Sequence, residues 1–186
     1  GRIEAVLAYA SVHGWRSGPN PAAWRGNLDA VLPKPTKVAR AENHPALAID
    51  DAPAWLAALR TREGIAARAL EFAALTWTRS GEIRGATWAE VDLEAGVWIV
   101  PAARMKAKRE HRVALSAAAL SLLRSLPRIE GTDLVFPSPR GKVMSDMTLS
   151  AVMRRMQEAE VKAGRRGWRD PRSDRPAVPH GLRSTA

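Results

Sequence analysis

The sequence predicts a mainly α-helical fold with one small antiparallel β-sheet, the α+β class. Apolar residues recur at helical spacing through most of the chain, whereas "VWIV" and "HRVALS" form two neighbouring stretches with the period of two that is typical of strands. The 186 residues are 46% apolar, which is enough to bury a core. No apolar run reaches the roughly 18 residues of a membrane span, so we expect a cytoplasmic protein with no membrane contact.

The N-terminal part is predicted to contain two short helices. Residues 3–13 are amphipathic, and Asn20 can cap a second helix with Pro21 in its first turn. Two short helices cannot enclose a core, so we interpret residues 1–33 as the end of a helical domain. The basic, proline-containing stretch 34–47 reads as a linker, and residues 48–186 as a second domain.

The second domain is predicted to begin with two helices. Asp50 and Asp51 cap the first, which Gly64 ends, and the most apolar helix of the chain covers residues 65–79. Further along, we expect a two-stranded hairpin with a basic tip and then two helices that serines cap. The strands are 97–101 and 111–116, and the capping residues are Ser116 and Ser145.

Positive charge is concentrated in the C-terminal half. The net charge is +3 over residues 1–44, −3 over 45–100 and +10 over 101–186. This distribution favours a polyanion partner, with a solvated basic surface as the alternative. The chain has no cysteine, which excludes disulfides, thiolate zinc sites and cysteine nucleophiles.

Arg79 is the first candidate functional residue. A charged side chain at the end of the most apolar helix is costly unless it is paired or faces a site. The residue can therefore form an ion pair with Glu82, cap the helix, or serve a binding site, with Ser80 and Gly81 ending the helix behind it.

Three stretches decide between these alternatives. "TWTRSGEIRGATWAEVD", "RMKAKREHRVALS" and "HGLR" occur in the order and approximate spacing found in the tyrosine recombinases, and the chain resembles the prophage-integrase branch of that family. The resemblance implies the catalytic-domain fold of that family, incomplete at its C-terminus. It also implies that residues 1–33 are the end of a core-binding domain and that the chain is a fragment.

The resemblance also implies the roles of individual residues. Arg79 and Arg183 match the catalytic arginines, His180 the catalytic histidine, and Glu82 the acidic residue that supports the first arginine. Lys106 matches the catalytic lysine, and Lys108 replaces it if the alignment shifts by two residues. The family's nucleophilic tyrosine has no counterpart here, because the only tyrosine is Tyr9, which we interpret as a packing residue of the first helix.

This set of residue types suits attack on a phosphodiester. Guanidinium groups can clamp the phosphate oxygens that gain charge, a lysine can protonate the leaving oxygen, and an imidazole can move the tyrosine proton. We expect no cofactor and no metal. Further basic residues are expected to contact DNA phosphates, and these are Lys108, Arg109, Arg165, Arg166, Arg169, Arg172 and Arg175.

The implied function is site-specific DNA integration and excision through a 3′-phosphotyrosyl intermediate, in a bacterial, nucleoid-associated setting. Double-stranded DNA is the expected partner. The family acts as a homotetramer on DNA, whereas the fragment is expected to be monomeric and to bind DNA without cleaving it. The alternative is a non-catalytic DNA-binding module, either a decayed integrase or an accessory factor. A metal-dependent nuclease would need a carboxylate cluster that the sequence does not offer.

Overall fold

A computed structural model describes residues 1–33, 43–105 and 107–184 of the chain. By its internal contacts the chain separates into two compact units, Gly1–Glu42 and Asn43–Ala186. None of the helices in these ranges is both long enough and apolar enough to cross a membrane.

The first unit contains one regular helix, α1 (Arg2–Val12), as the sequence predicts. The helix expected from Asn20 does not form. The Asn20 carboxamide oxygen instead accepts a hydrogen bond from the backbone N–H of Ala22, 3.0 Å away, and makes a turn. Gly26 then takes a positive φ of 72°, which interrupts helical geometry before the single turn α2 (Asp29–Val31).

The second unit holds five further helices and three strands within the described residues. The helices are α3 (Ala52–Arg60), α4 (Ile65–Thr76), α5 (Ser80–Arg84), α6 (Ala117–Ser125) and α7 (Thr148–Lys162). The strands are β1 (Val91–Asp92), β2 (Val97–Val100) and β3 (His111–Ala114). The predicted α+β class is confirmed.

Several predicted helix boundaries are wrong. Helix α3 ends at Arg60, and Gly64, with φ of 92°, precedes α4 instead of ending α3. Helix α4 stops at Thr76, because Trp77 adopts the left-handed conformation with φ of 53°. Ser80 and Gly81 begin α5 rather than terminate a helix.

The strands form an antiparallel sheet in the order β1-β2-β3. Trp98 on β2 pairs with Val91 on β1 and with Val113 on β3, and its side chain is fully buried. His111, the first residue of the predicted second strand, is exposed on β3. The sheet therefore contributes one apolar face to the core.

Helix α4 lies at the centre of the core. It contacts α3, α6, α7 and the 3₁₀ turn Gly181–Ser184. Phe72 of α4 packs against Trp98 and Phe136, with ring centroids 5.3 Å apart in both pairs. A helix buried on several sides is a rigid support for the residues that follow it.

The two serine caps differ in outcome. The Ser116 hydroxyl accepts a hydrogen bond from the backbone N–H of Ala119 at 3.2 Å, so the predicted cap of α6 is confirmed. Ser145 lies outside α7, whose first residue is Thr148, and its hydroxyl accepts from the N–H of Met147 in the preceding turn.

Candidate active site

Arg79 lies in extended backbone between α4 and α5, and its position is fixed by Glu82. Its backbone N–H donates to one Glu82 carboxylate oxygen at 3.0 Å, and its guanidinium donates to the other at 2.8 Å. Glu82 is buried, whereas the Arg79 side chain is 45% exposed. The ion pair considered for Arg79 therefore exists, and the guanidinium still reaches solvent.

A second arginine, Arg104, contacts the segment that contains Glu82. Arg104 donates to the backbone carbonyl of Glu82 and forms an ion pair with Glu90. Its guanidinium lies against Gly85, where an added Cβ would meet it at 3.0 Å. The sequence places Arg104 in the basic tip of the hairpin, but the structure makes it part of the packing under Arg79.

His180 and Arg183 belong to one tight turn, which packs against α4. The N–H of Arg183 donates to the carbonyl of His180 at 3.3 Å. Leu182, between them, is buried at 5% exposure, so the turn is anchored by its apolar residue while both polar side chains remain exposed. The family motif is thus held on a 3₁₀ turn.

The electrostatic surroundings of His180 link it to both arginines. Partial loss of hydration, the neighbouring His44, Arg183 and Arg79, in that order, lower the pKa of the His180 imidazole below its ordinary value of 6.5. Because desolvation and positive neighbours both disfavour the protonated ring, the neutral form predominates at pH 7. Two predicted site residues, Arg183 in the same turn and Arg79 from a distant part of the sequence, therefore act on a third, His180.

Two basic residues of the described part of the hairpin turn are exposed. Lys106 lies outside the described residues. Lys108 is exposed and takes a positive φ of 51° in the turn, and Arg109 next to it is also exposed. These two side chains are accessible to an anion, but they do not decide between Lys106 and Lys108 as the reactive lysine.

The arginine-rich loop after α7 contains internal ion pairs. Arg165 bonds to Glu160 at 2.8 Å, and Arg166 and Arg169 share Asp174 at 2.9 and 3.3 Å. Arg172 and Arg175 are exposed on the same loop. Because the carboxylates offset part of the arginines' charge, the loop is less positive than its number of arginines suggests.

Two residues of this region were not singled out from the sequence. The ring of His44 packs against that of His180, with ring centroids 4.3 Å apart and planes tilted by 59°. Asp170 is buried, and its carboxylate accepts bonds from the N–H groups of Ala46, Arg172 and Ser173. Neither contact leaves a signal in sequence spacing, since both depend on the tertiary fold.

The arrangement can hold an anion. Two guanidiniums that reach solvent, both of which lower the pKa of the His180 imidazole, provide donors in the planar geometry that phosphate oxygens accept. Among residues 1–33, 43–105 and 107–184 no group of three or more histidines, aspartates or glutamates is arranged to hold a metal ion.

Comparison with known proteins identifies relatives of this chain. The chain is 33% identical over 190 residues to the prophage integrase IntA of Escherichia coli K12, covering all of this chain and 40% of that protein. It is also 33% identical over 172 residues to the integrase of Enterobacteria phage P4, covering 83% of this chain and 37% of that protein. The chain thus spans about two fifths of the length of these relatives.

Solved structures share the fold at lower identity. A Tn1549 transposon integrase in complex with transposon right end DNA has a TM-score of 0.68 at 15% identity, and a lambda integrase dimer bound to a core site has 0.61 at 18%. Each match covers 98% of this chain and 61% of the other. The family model for the phage integrase family matches residues 46–186, and with these relatives it shows that the chain belongs to the phage integrase family.

Proposed function

We propose that this chain is the DNA-binding and phosphate-clamping part of a site-specific recombinase that integrates and excises DNA through a 3′-phosphotyrosyl intermediate. The observation that carries the proposal is that Arg79, fixed by Glu82, and Arg183, in one turn with His180, are both exposed and both lower the pKa of the His180 imidazole. Family membership and the fold shared with DNA-bound integrases support it.

Each residue has a role that its environment suits. In the transition state the phosphorus has five oxygens and its equatorial oxygens carry extra negative charge, which the guanidiniums of Arg79 and Arg183 stabilise by paired hydrogen bonds. Glu82 fixes Arg79 so that little reorganisation is needed when the phosphate arrives. His180, neutral at pH 7, can accept the proton of an attacking hydroxyl.

The leaving 5′ oxygen needs a proton, and a hairpin lysine can supply it. Lys106 takes this role in the proposal, with Lys108 as the alternative. Lys108, Arg109 and the arginines of the 165–175 loop contact phosphates along the duplex without reading bases, because no helix carries them into a groove. Assembly as a homotetramer on DNA, and the bacterial nucleoid as its setting, belong to the same proposal.

One observation favours a second function, that of a non-catalytic DNA-binding module. The only tyrosine of the 186 residues is Tyr9, on α1 of the first unit, where its ring contacts His13 and Trp15. Aromatic packing of this kind is an ordinary structural role. We therefore expect these 186 residues to bind DNA without cleaving it.

Binding is tested by titrating a fluorescein-labelled duplex with the protein at several salt concentrations. If about five phosphate contacts form, a fourfold increase in salt weakens binding about 500-fold. The double variant Arg79→Ala/Arg183→Ala should bind more weakly, whereas Arg124→Ala, a substitution on α6, serves as the control. A Kd that does not depend on salt would overturn the proposal.

Cleavage is tested with a nicked suicide duplex, which traps a covalent protein–DNA adduct because the leaving strand diffuses away. The 186-residue chain should form no adduct on a denaturing gel. The chain extended through its natural C-terminal sequence should form one, and should lose it with Arg79→Ala or Arg183→Ala. If the extended chain forms no adduct, the non-catalytic module is the better function. An adduct of the 186-residue chain that disappears with Tyr9→Phe would contradict our assignment of Tyr9.

A further inference from the structure

A short segment that precedes α3 in the sequence is hydrogen-bonded to residues near the end of the described chain. We call residues 43–47 the strap. The Pro45 carbonyl accepts a hydrogen bond from the N–H of Val178 at 3.1 Å, and the N–H of Ala46 donates to the Asp170 carboxylate at 2.7 Å. Leu47 is buried in the core at 3% exposure. The strap is therefore held by both polar and apolar contacts.

The strap passes directly over the turn that carries His180. A Cβ built on Gly181 would lie 1.8 Å from the Pro45 carbonyl oxygen and 2.9 Å from the Cα of Ala46. No side chain fits at this position, so the glycine permits the close approach of the two backbones. The approach also brings His44, at the start of the strap, onto the ring of His180.

Three titratable groups from different parts of the fold act on His180. His44 comes from the strap, Arg183 from the same turn, and Arg79 from the start of α5, where Glu82 pairs with it. A protonated imidazole disfavours protonation of a neighbouring imidazole, and the two guanidiniums likewise disfavour protonation of His180. The ring of His44 also limits the orientations that the His180 ring can take.

We propose that His44 is a positioning residue for His180, held against it by the strap. The inference rests on the proposed function, since it concerns the histidine that accepts a proton there. His44 has two effects that can be separated. Its ring restricts the rotation of His180 by contact, and its positive charge, when it carries a proton, disfavours protonation of the His180 imidazole, the proposed proton acceptor.

Nuclear magnetic resonance of the imidazoles in the 186-residue chain tests both effects. The four histidines, His13, His44, His111 and His180, can be assigned by single substitutions, and their protonation followed from pH 5 to 9. His44→Phe keeps a ring and removes the charge, whereas His44→Ala removes both. His111→Phe, on an exposed position of β3, is the matched control.

We expect the pKa of His180 to rise in both His44 variants and to stay unchanged in His111→Phe. Ring-to-ring nuclear Overhauser contacts with His180 should persist in His44→Phe. A pKa of His180 that is the same in wild type and His44→Phe would overturn the charge effect, and absence of ring contacts in the wild type would overturn the positioning.

These outcomes are independent of the proposed function. The titration needs no DNA and no cleavage, so a failure to form adducts with an unchanged titration result would count against the recombinase alone. Conversely, adduct formation by the extended protein with no effect of His44→Phe on the titration would count against His44 alone.

Discussion

Replacement of Gly181 by alanine perturbs the contact that joins the strap to the turn of His180. The new methyl group would lie 1.8 Å from the Pro45 carbonyl oxygen, whereas real contacts of a Cβ are at least 3.0 Å, so one backbone must move by about 1.2 Å. A displacement of that size is enough to break the 3.1 Å hydrogen bond between Val178 and Pro45. Overpacking of this kind costs about 1–3 kcal/mol.

The cost is measured by urea unfolding followed through tryptophan fluorescence, and the local effect by hydrogen exchange at the Val178 amide. We expect a lower free energy of unfolding and faster exchange at that amide for Gly181→Ala. Gly81→Ala is the matched control, because a Cβ there comes no closer than 4.0 Å to a neighbouring atom, Nη2 of Arg84, and alanine suits a helix. If Gly181→Ala is as stable as the wild type and Val178 remains protected, the reasoning about the strap is refuted.

Three further predictions concern the supports of the site. Glu82→Ala leaves the Arg79 amide and guanidinium without their partner and should lower the free energy of unfolding by about 2 kcal/mol. Glu82→Gln retains hydrogen bonding, so a smaller loss of stability in this variant would separate the effect of the charge from that of the hydrogen bonds. Asp170 has its pKa lowered from 3.8 to about 2, mainly by the N–H of Ala46, so its contribution to stability is complete above about pH 4 and is lost as the pH falls towards 2. Acid unfolding of Asp170→Asn should therefore lack this part of the pH dependence, and an unchanged acid profile would contradict the assignment. Ser116→Ala should cost about 1 kcal/mol in urea unfolding through loss of the α6 cap without changing DNA affinity, and a fall in affinity would contradict a purely structural role.

The sequence predicted those elements whose signals are local. Helix α6 follows from Ser116 and from leucines at helical spacing, and strands β2 and β3 follow from alternation, because each signal arises within a few residues. The family motifs likewise identify Arg79, His180 and Arg183 without knowledge of the fold. Local chemistry and motif order are therefore sufficient for the list of candidate residues.

The sequence did not predict the position of Arg79 relative to the two neighbouring helices. A left-handed residue after a helix is usually glycine or asparagine, whereas here it is Trp77, so nothing local indicated that α4 ends at Thr76. As a result Arg79 precedes α5 instead of ending α4, and Glu82, three residues on, faces it from the first turn of α5.

The strap was equally inaccessible to local reasoning. Ala46 and Asp170 are 124 residues apart, and the whole of α3, the sheet and α7 lies between His44 and His180 in the sequence. A histidine in a polar stretch before a helix has no periodicity to distinguish it. Contacts of this separation require the folded chain, which is why the sequence did not single out His44.

Two faces of helix α4 have different roles. One contributes to the stability of the unit, and the other supports the turn that carries the site residues. Phe72 faces the sheet through Trp98, whereas Leu75 lines an apolar groove together with Leu182, the residue between His180 and Arg183. Phe72→Leu should therefore lower the free energy of unfolding by about 1–1.5 kcal/mol and leave the pKa of His180 unchanged.

Leu75→Ala removes the support under the turn while deleting a side chain that is only partly buried. It should destabilise the protein by about 1–2 kcal/mol, comparable to Phe72→Leu, yet shift the titration of His180, because Leu182 can settle towards the vacated space and carry the turn with it. Urea unfolding and imidazole titration of the two variants compare these effects directly. Equal titration of His180 in both variants would contradict the division of α4 into a sheet-facing and a site-facing side.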